Sequence, residues 1–407
     1  MSSPQQKFAY CTLLTRSSYL AGVIILAHTL KKYNTAYPLV VLYTDTLPAS
    51  SVHALELEAP LTNIIPHRVS ALLPRENVHV HLIAERFADT WTKLRVFELF
   101  ELGYTKMCYL DADMILTKNM DHVFEKQLPD TDWIAANHAC VCNLDKDPWA
   151  PEDWKKENCA YSAVSHPDAL TKPTPVTPES RGTYHLLNSG MFLFHPSQEL
   201  WDRMLDFFNT TPLLGEFKFP DQDFLAEFFR NKWMSVGWQF NALKTMRYWH
   251  PNIWRDEEVV CLHYIVDKPW AKRVGEDGVA GYLGRDGVTH TWWWEDYEEW
   301  KGQREANGND EVVGIVKKHV AKPIGEEGEE SEEMRAIGSQ VQAFAKNKPG
   351  ENENHSAQEG KKNDKNDDER DTDGQPQAGG PVLRRKILGE RGHGPRVRPH
   401  GSSQMQT

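Results

Sequence analysis

Two carboxylates, Asp111 and Asp113, stand one residue apart directly after the apolar run KMCYL. Ligands of open parallel sheets bind at the carboxyl ends of the strands, and a bending chain there can turn both acids toward one divalent cation. Hard oxygen donors suit Mg2+ or Mn2+, and such an ion would neutralise a diphosphate. A solvated turn would use the same pair without any ligand. Further along, CLHYIVDKPW (261–270) offers His263 as a third ligand and Lys268 as a cation for phosphate oxygens beyond the ion's reach. The plainer reading is a packed histidine and a surface lysine. Asp221-Gln222-Asp223 follows Phe219-Pro220 at the start of a helical pattern. Helix capping favours Asp there but needs only one acid, and the other reading sets Asp221 beside the anomeric carbon of a sugar. Asn188-Ser189-Gly190, before MFLF, is either a polar turn or part of the same site.

These residues need a scaffold, and the chain supplies alternating strand and helix patterns. Phe8 to Leu14 reads as a buried strand, followed by a helix from about Ser18 to Tyr33 capped by Ser17 or Ser18. Leu39 to Tyr43 is a second strand, Ser51 to Glu58 a helix, and Ile64-Ile65 open a third strand. Trp91, Leu94, Phe97 and Phe100 mark one face of a helix that Gly103 stops. Met107 to Leu110 then forms the strand that ends in the two aspartates. Repeated βα units imply a parallel sheet with helices on both faces. From Asn143 to Arg181 the Pro, Trp and charge content predicts a long surface excursion. Regular structure resumes as a strand at Gly190 to Phe194 and helices at Ser197 to Asn209 and Asp221 to Asn231.

Composition bounds the rest. Of 407 residues, 40% are hydrophobic and 26% charged, with a net charge of −12. All 14 tryptophans lie at or before Trp300, and Phe344 is the only aromatic residue after it. We therefore expect a folded catalytic domain over 1–300 and a disordered, charged tail over 301–407, too poor in apolar surface to offset its ordering entropy. Within that tail an acidic run (326–333), a polar stretch (347–373) and a basic patch (384–398) suit a linker or docking segment. Residues 1–300 hold 28 Lys+Arg against 39 Asp+Glu, a net of −11. So acidic a body argues against binding nucleic acid. No apolar stretch is long enough to span a bilayer, and the first ten residues lack the pattern of a signal peptide. The six cysteines read as reduced, buried thiols of a cytoplasmic enzyme. A zinc site from Cys140, Cys142 and Cys159 is the other reading, although their spacing matches no standard ligand pattern.

Six motifs, in order, give the chain a specific resemblance: FAYCTLLTRSSYLAG, WTKLRVFEL, YLDADMIL, LNSGMFLFHPS, FPDQDFLAEFF and CLHYIVDKPW. Over roughly residues 7–272 it resembles glycosyltransferase family 8, the family of glycogenin and plant galactinol synthase. The resemblance implies an α/β fold of the GT-A type, a Rossmann-like nucleotide-diphospho-sugar transferase. It also implies a UDP-sugar donor and Mn2+ (or Mg2+) bridging the Asp-x-Asp pair and the diphosphate. By position, Asp111, Asp113 and His263 match the metal ligands. Thr12, Leu13, Thr15 and Tyr19 match the uridine-holding loop, with Ala112 between the acids. Lys93 matches a lysine contacting phosphate or sugar. Asn188, Asp221 and Gln222 match residues surrounding the donor sugar, Ser189 is expected beside them as a donor-binding residue, Asp221, Lys93 and Gln222 are expected to form the catalytic group, and Lys268 matches the diphosphate-binding lysine.

Family 8 enzymes retain the anomeric configuration, so Asp221 would act either as a covalent nucleophile or as a stabiliser of positive charge. Alternatively, attack comes from the leaving group's own face and the departing phosphate takes the acceptor's proton. The Cys-x-Cys pair, QDFL and His250-Pro251 lean toward the galactinol-synthase side. Two departures stand out: only four residues, with no glycine, separate His263 from Lys268, and Lys218 replaces glycogenin's sugar-contacting aspartate. The expected activity is a metal-dependent, retaining transfer of glucose or galactose to a polyol, saccharide or protein, by a monomer or homodimer. The competing readings are a glycogenin-like primer glycosylated on Tyr248, a silent sugar-nucleotide-binding protein, and a sugar-nucleotide hydrolase.

Overall fold

The apolar runs become strands because both faces of the sheet are covered, which is why they read as nearly continuous rather than alternating. The computed structural model describes residues 7–75, 78 and 89–324. These lie within one compact unit, residues 1–351. The three tail stretches expected over 326–398, and a second unit over 352–407, lie outside the described residues. Strands β1 (Phe8–Leu14), β2 (Leu39–Tyr43), β3 (Ile64–Arg68) and β4 (Lys106–Leu110) run parallel in the order β3-β2-β1-β4. The sheet continues through β7 (Leu187–Phe194), β6 (Ile134–His138) and β8 (Trp233–Ser235), the strands being numbered in chain order.

This second half corrects the expectation of a parallel sheet. Strand β7 is antiparallel to both β4 and β6, while β6 and β8 are parallel. A parallel partner needs a crossover back to the starting end of the sheet. Here the chain returns from β6 through the long excursion after His138, without an α-helix, and enters the sheet from the opposite end.

Side chains alternate between two apolar cores. Tyr10, Leu39, Val41, Cys108 and Leu110 face α1 (Leu20–Lys32) and α2 (Ala49–Thr62). Ala9, Cys11, Val40, Leu42 and Tyr109 face the segment Thr90–Leu102, α3 (Gln198–Thr210) and α4 (Pro220–Phe228). Thr90–Leu102 is wound as a 3-10 helix. That winding fits its sequence: with three residues per turn, Trp91, Leu94, Phe97 and Phe100 stack in one line. Gly103 ends it in the left-handed conformation, as expected. Ser197 caps α3 by accepting the Leu200 N–H at 3.2 Å. Neither Ser17 nor Ser18 caps α1 with its side chain; Ser17 instead meets Ser51 of α2 at 2.8 Å.

A smaller sheet, β5 (Met114–Leu116), β10 (Cys261–His263) and β9 (Ala242–Leu243) in the order β5-β10-β9, packs beside the end of β4. A short helix α5 (Met246–Trp249) follows β9. The register pairs His263 with Met114, and the Tyr264 N–H reaches the Asp113 carbonyl at 2.9 Å, so this sheet carries His263 to the aspartates.

The boundary expected at 300 falls inside α6 (Gly287–Ala306), and α7 (Asp310–Val316) follows. Val312, Val313 and Val316 complete the core against α2. Arg304 closes a bidentate pair with the fully buried Glu58 at 2.8 and 2.9 Å, and the Trp300 indole donates to the same carboxylate. The packed region therefore runs beyond the last tryptophan.

Candidate functional site

A cleft of about 390 Å³ opens at the carboxyl ends of β1 and β4. It is of the size expected for a small-ligand site. Its floor is the loop after β4. Asp111 is held in line by its N–H donating to the Gly190 carbonyl at 2.8 Å, and the Tyr109 hydroxyl donates to its carboxylate at 2.8 Å. Close packing fixes this floor: a Cβ on Gly22 of α1 would lie 2.2 Å from the Ala112 carbonyl, so a larger residue would lift α1 off the loop.

His263 points its Nε2 at the pair, 3.2 Å from Asp113 and 3.8 Å from Asp111. Ligand atoms of Asp111, Asp113 and His263 all lie within 4.8 Å of one another. The imidazole is oriented from behind: its Nδ1 lies 2.9 Å from the Asn241 amide oxygen, and the Asn241 amide donates to Asn188 at 2.8 Å. Gly190 makes room for the ring, since a Cβ there would sit 2.3 Å from His263 Cε1. Two oxygen donors and one nitrogen donor fit a divalent ion such as Mn2+.

Two buried ammonium groups complete the charge pattern. Lys93 bridges Asp111 at 2.9 Å and Asp221 at 2.5 Å, and it faces the Ser189 hydroxyl at 3.3 Å. Burial disfavours its charge, but Asp111 and Asp221 outweigh this and hold its pKa above that of an ordinary lysine. Lys268 donates to Asp113 and, at 2.9 Å, to the Tyr264 carbonyl. Burial pushes Asp113 toward neutrality; Lys268 and His263 overcome that and hold its carboxyl well below the usual range.

Helix α4 splits the roles of its two acids. Asp221 faces inward to Lys93 and accepts from Ser189 at 2.7 Å. Asp223 turns back to accept the N–H groups of Lys218 and Phe219 at 2.8 and 3.0 Å, the capping task. Desolvation pushes its pKa up to about 6, against those two hydrogen bonds. Gln222 accepts from Asn188 at 3.2 Å.

Of the residues singled out by sequence, Leu13, Thr15, Tyr19, Lys93, Asp111, Ala112, Asp113, Asn188, Ser189, Asp221, Gln222, His263 and Lys268 all line this one cleft. Thr12 does not; it is paired within β1, and its buried hydroxyl has no hydrogen-bond partner among the described residues. Tyr248 is also absent from the lining, whereas its neighbour Trp249 contributes to it. Sequence reasoning missed Asn241, which orients His263, and the wall supplied by the excursion. Asp145, Asp147, Trp149 and Trp154 of that wall join Phe219 in the lining. Trp154 and Phe219 stack with ring planes 8° apart, and Trp149 meets both edge-on. The Pro, Trp and charge content of 143–181 was the available signal.

The family model described as "Glycosyl transferase family 8" matches residues 10–273. Galactinol synthase 1 of Solanum lycopersicum is 28% identical over 305 residues, covering 74% of this chain and 85% of its own. Galactinol synthase 6 of Arabidopsis thaliana is 27% identical over 309 residues, covering 74% and 83%. Among solved structures, the glycosyltransferase GlyE of Streptococcus pneumoniae TIGR4 aligns with a TM-score of 0.47 at 16% identity, over 79% of this chain and 67% of that one. The galactosyltransferase LgtC, solved with donor and acceptor sugar analogues, aligns with a TM-score of 0.46 at 17% identity, over 72% and 99%.

Proposed function

The chain belongs to glycosyltransferase family 8, and from that premise we propose that it moves glucose or galactose from a UDP-sugar to a hydroxyl acceptor with retention of configuration. It is a glycosyltransferase; the GT-A type, the donor, the metal and the acceptor are our reading. One observation carries that reading: Asp111, Asp113 and His263 converge within 4.8 Å on the floor of a cleft that also holds two buried lysines. Bound between these three residues, Mn2+ or Mg2+ would supply positive charge for a departing diphosphate.

The chain's own groups define the rest. Lys268, close to Asp113, is placed to pair with phosphate oxygens. Asp221 pairs with the Lys93 ammonium and accepts from the Ser189 hydroxyl, so it is placed to stabilise positive charge at an anomeric carbon or to attack it. Trp149, Trp154 and Phe219 offer flat apolar faces, while Asp145 and Asp147 offer hydrogen-bond acceptors. That lining suits a neutral, hydroxyl-rich acceptor, a polyol or short saccharide in preference to a protein. Among the described residues no helix is long and apolar enough to cross a membrane. A cytoplasmic setting is part of the proposal, as is activity without a nucleic acid; a homodimer is compatible with it.

Proton NMR of the product formed from UDP-galactose or UDP-glucose tests the stereochemistry: an α-linked product is expected, and a β-linked one refutes retention. The self-glycosylating alternative makes a different demand on Tyr248. Burial, then Asp286 and Asp145, raise its phenol pKa, Arg285 stacks on its ring at 5.4 Å, and it lies outside the cleft lining. Intact-mass measurement after incubation with UDP-glucose and Mn2+ should show no added hexose.

A further inference from the structure

Three clusters of metal-ligating side chains occur among the described residues. Asp111-Asp113-His263 belongs to the site above. Asp267-Asp286-His290 already encloses a cation, since the Lys244 ammonium lies 2.7 Å from each aspartate. The third is Cys140, Cys142, Cys159 and His250, and nothing in the transfer chemistry uses it. We propose that these four residues hold a structural zinc ion, and that this ion fixes the acceptor-side wall of the cleft.

Three separate stretches of chain meet there. Cys140 and Cys142 follow β6, Cys159 comes from the excursion, and His250 follows α5. The His250 Nε2 lies 3.3, 3.2 and 3.6 Å from the sulfurs of Cys140, Cys142 and Cys159, and the Cys140 and Cys159 sulfurs are 4.0 Å apart. One ring nitrogen has a single lone pair or a single N–H, so hydrogen bonding cannot account for three sulfurs around it. A disulfide does not account for it either, because all six cysteines are free. Zinc does. At about 2.3 Å from sulfur and 2.0–2.1 Å from nitrogen, tetrahedral coordination separates its ligand atoms by about 3.8 Å (S to S) and about 3.5 Å (S to N).

The chemistry of the donor set agrees with the spacing. Three thiolates and an imidazole are soft-to-borderline donors that prefer zinc to Mg2+ or Mn2+. Four protein ligands leave no open position, which marks a structural rather than a catalytic site. So close a grouping meets one ion and leaves no room for a multi-iron cluster. His250 is wholly buried, with the Tyr161 ring packed against it at a centroid distance of 5.5 Å. Nε2, which faces all three sulfurs, is the nitrogen placed to bind the metal, and Nδ1 has no hydrogen-bond partner among the described residues.

Position gives the site its consequence. Trp149 and Trp154, both cleft-lining, lie in the loop between Cys142 and Cys159. An ion shared by those two cysteines closes that loop and removes its conformational freedom. The donor-side ligands lie elsewhere, Asp111 and Asp113 in the loop between β4 and β5 and His263 on β10, so loss of zinc should raise KM for the acceptor more than KM for the donor.

The test uses the full chain, purified in a reductant that does not chelate. Elemental mass spectrometry should find about one zinc per chain that survives dialysis against EDTA and is released by a thiol-reactive mercurial. Cobalt grown in its place should give thiolate-to-cobalt charge transfer and the intense visible bands of a tetrahedral site. Cys142→Ser and Cys159→Ser should lose the metal, while Asp113→Asn keeps it. If a serine variant fails to fold, the wild-type stoichiometry and cobalt spectrum decide the matter alone. Background zinc in a folded chain overturns the proposal. So does a mass lower by two hydrogens, which would mean a native disulfide, or zinc that is lost in Asp113→Asn and kept in Cys142→Ser.

Discussion

Asp113→Asn should reduce metal-dependent turnover of the UDP-sugar by at least about 10²–10³-fold, the loss typical of removing one key electrostatic contact to a developing negative charge. The side chain keeps its shape and its place between His263 and Lys268, but it no longer carries charge. Two consequences combine. An amide is a far poorer ligand for a hard cation than a carboxylate, and Lys268 loses its buried counter-charge. The lysine still donates to the Tyr264 carbonyl at 2.9 Å, which limits the cost in stability to about 1–3 kcal/mol. Circular dichroism should report a folded chain, and UDP release with Mn2+ should fall to background. Full turnover in this variant would refute the metal assignment.

The second large effect concerns the helical residues beyond Trp300. A chain stopped after Trp300 should be severely destabilised, whereas one stopped after residue 324 should melt like the full-length protein. The shorter chain loses Arg304 and leaves the fully buried Glu58 with no counter-charge, only the Trp300 indole and, at 3.5 Å, the Thr62 hydroxyl remaining as side-chain donors among the described residues. Breaking a buried ion pair from one side costs about 3–5 kcal/mol. The cut also strips Val312, Val313 and Val316 from the core over α2, at about 1.5–3 kcal/mol for each fully buried side chain. These sums are comparable to the whole stability of a typical domain. Thermal melts of the two chains measure the difference; equal melting temperatures would put the boundary back at 300.

That boundary shows what was hidden in the sequence. Tryptophan content traced the core well as far as Trp300, but α7 packs through valines, and the end of α6 is anchored by a charge pair between residues 246 positions apart. Charges carry no local mark of burial. Strands β1, β2 and β4 were legible because both faces of each are covered, so each reads as a continuous apolar run. The antiparallel course of β7 was not, since local pattern does not encode strand direction and the excursion before it has no helical period. The Trp91-Leu94-Phe97-Phe100 spacing of three was visible, and its literal meaning is the 3-10 winding observed.

The candidate site followed the same logic. Asp111, Asp113, Asp221, His263 and Lys268 stood out because carboxylates, a histidine and a lysine interrupt or end apolar elements. Asn241 did not, because it acts only by orienting His263. Thr12 was included through its motif, yet its side chain stays within the sheet. The cysteine cluster was half legible: three thiols were noted, but their spacing has no standard form, and His250 lies 91 residues beyond Cys159. Only the fold brings the fourth ligand to them.

The central claim is transfer from a UDP-sugar to a hydroxyl acceptor at the Asp111-Asp113-His263 site. Its most direct test is UDP release from UDP-glucose and UDP-galactose with Mn2+, measured with and without a panel of polyols and short saccharides. The account predicts release that depends on Mn2+, is stimulated by one class of acceptor, and yields that acceptor with one hexose added. Equal release without any acceptor would contradict it in favour of hydrolysis, and binding of the UDP-sugar without release would make the chain a silent relative of its family.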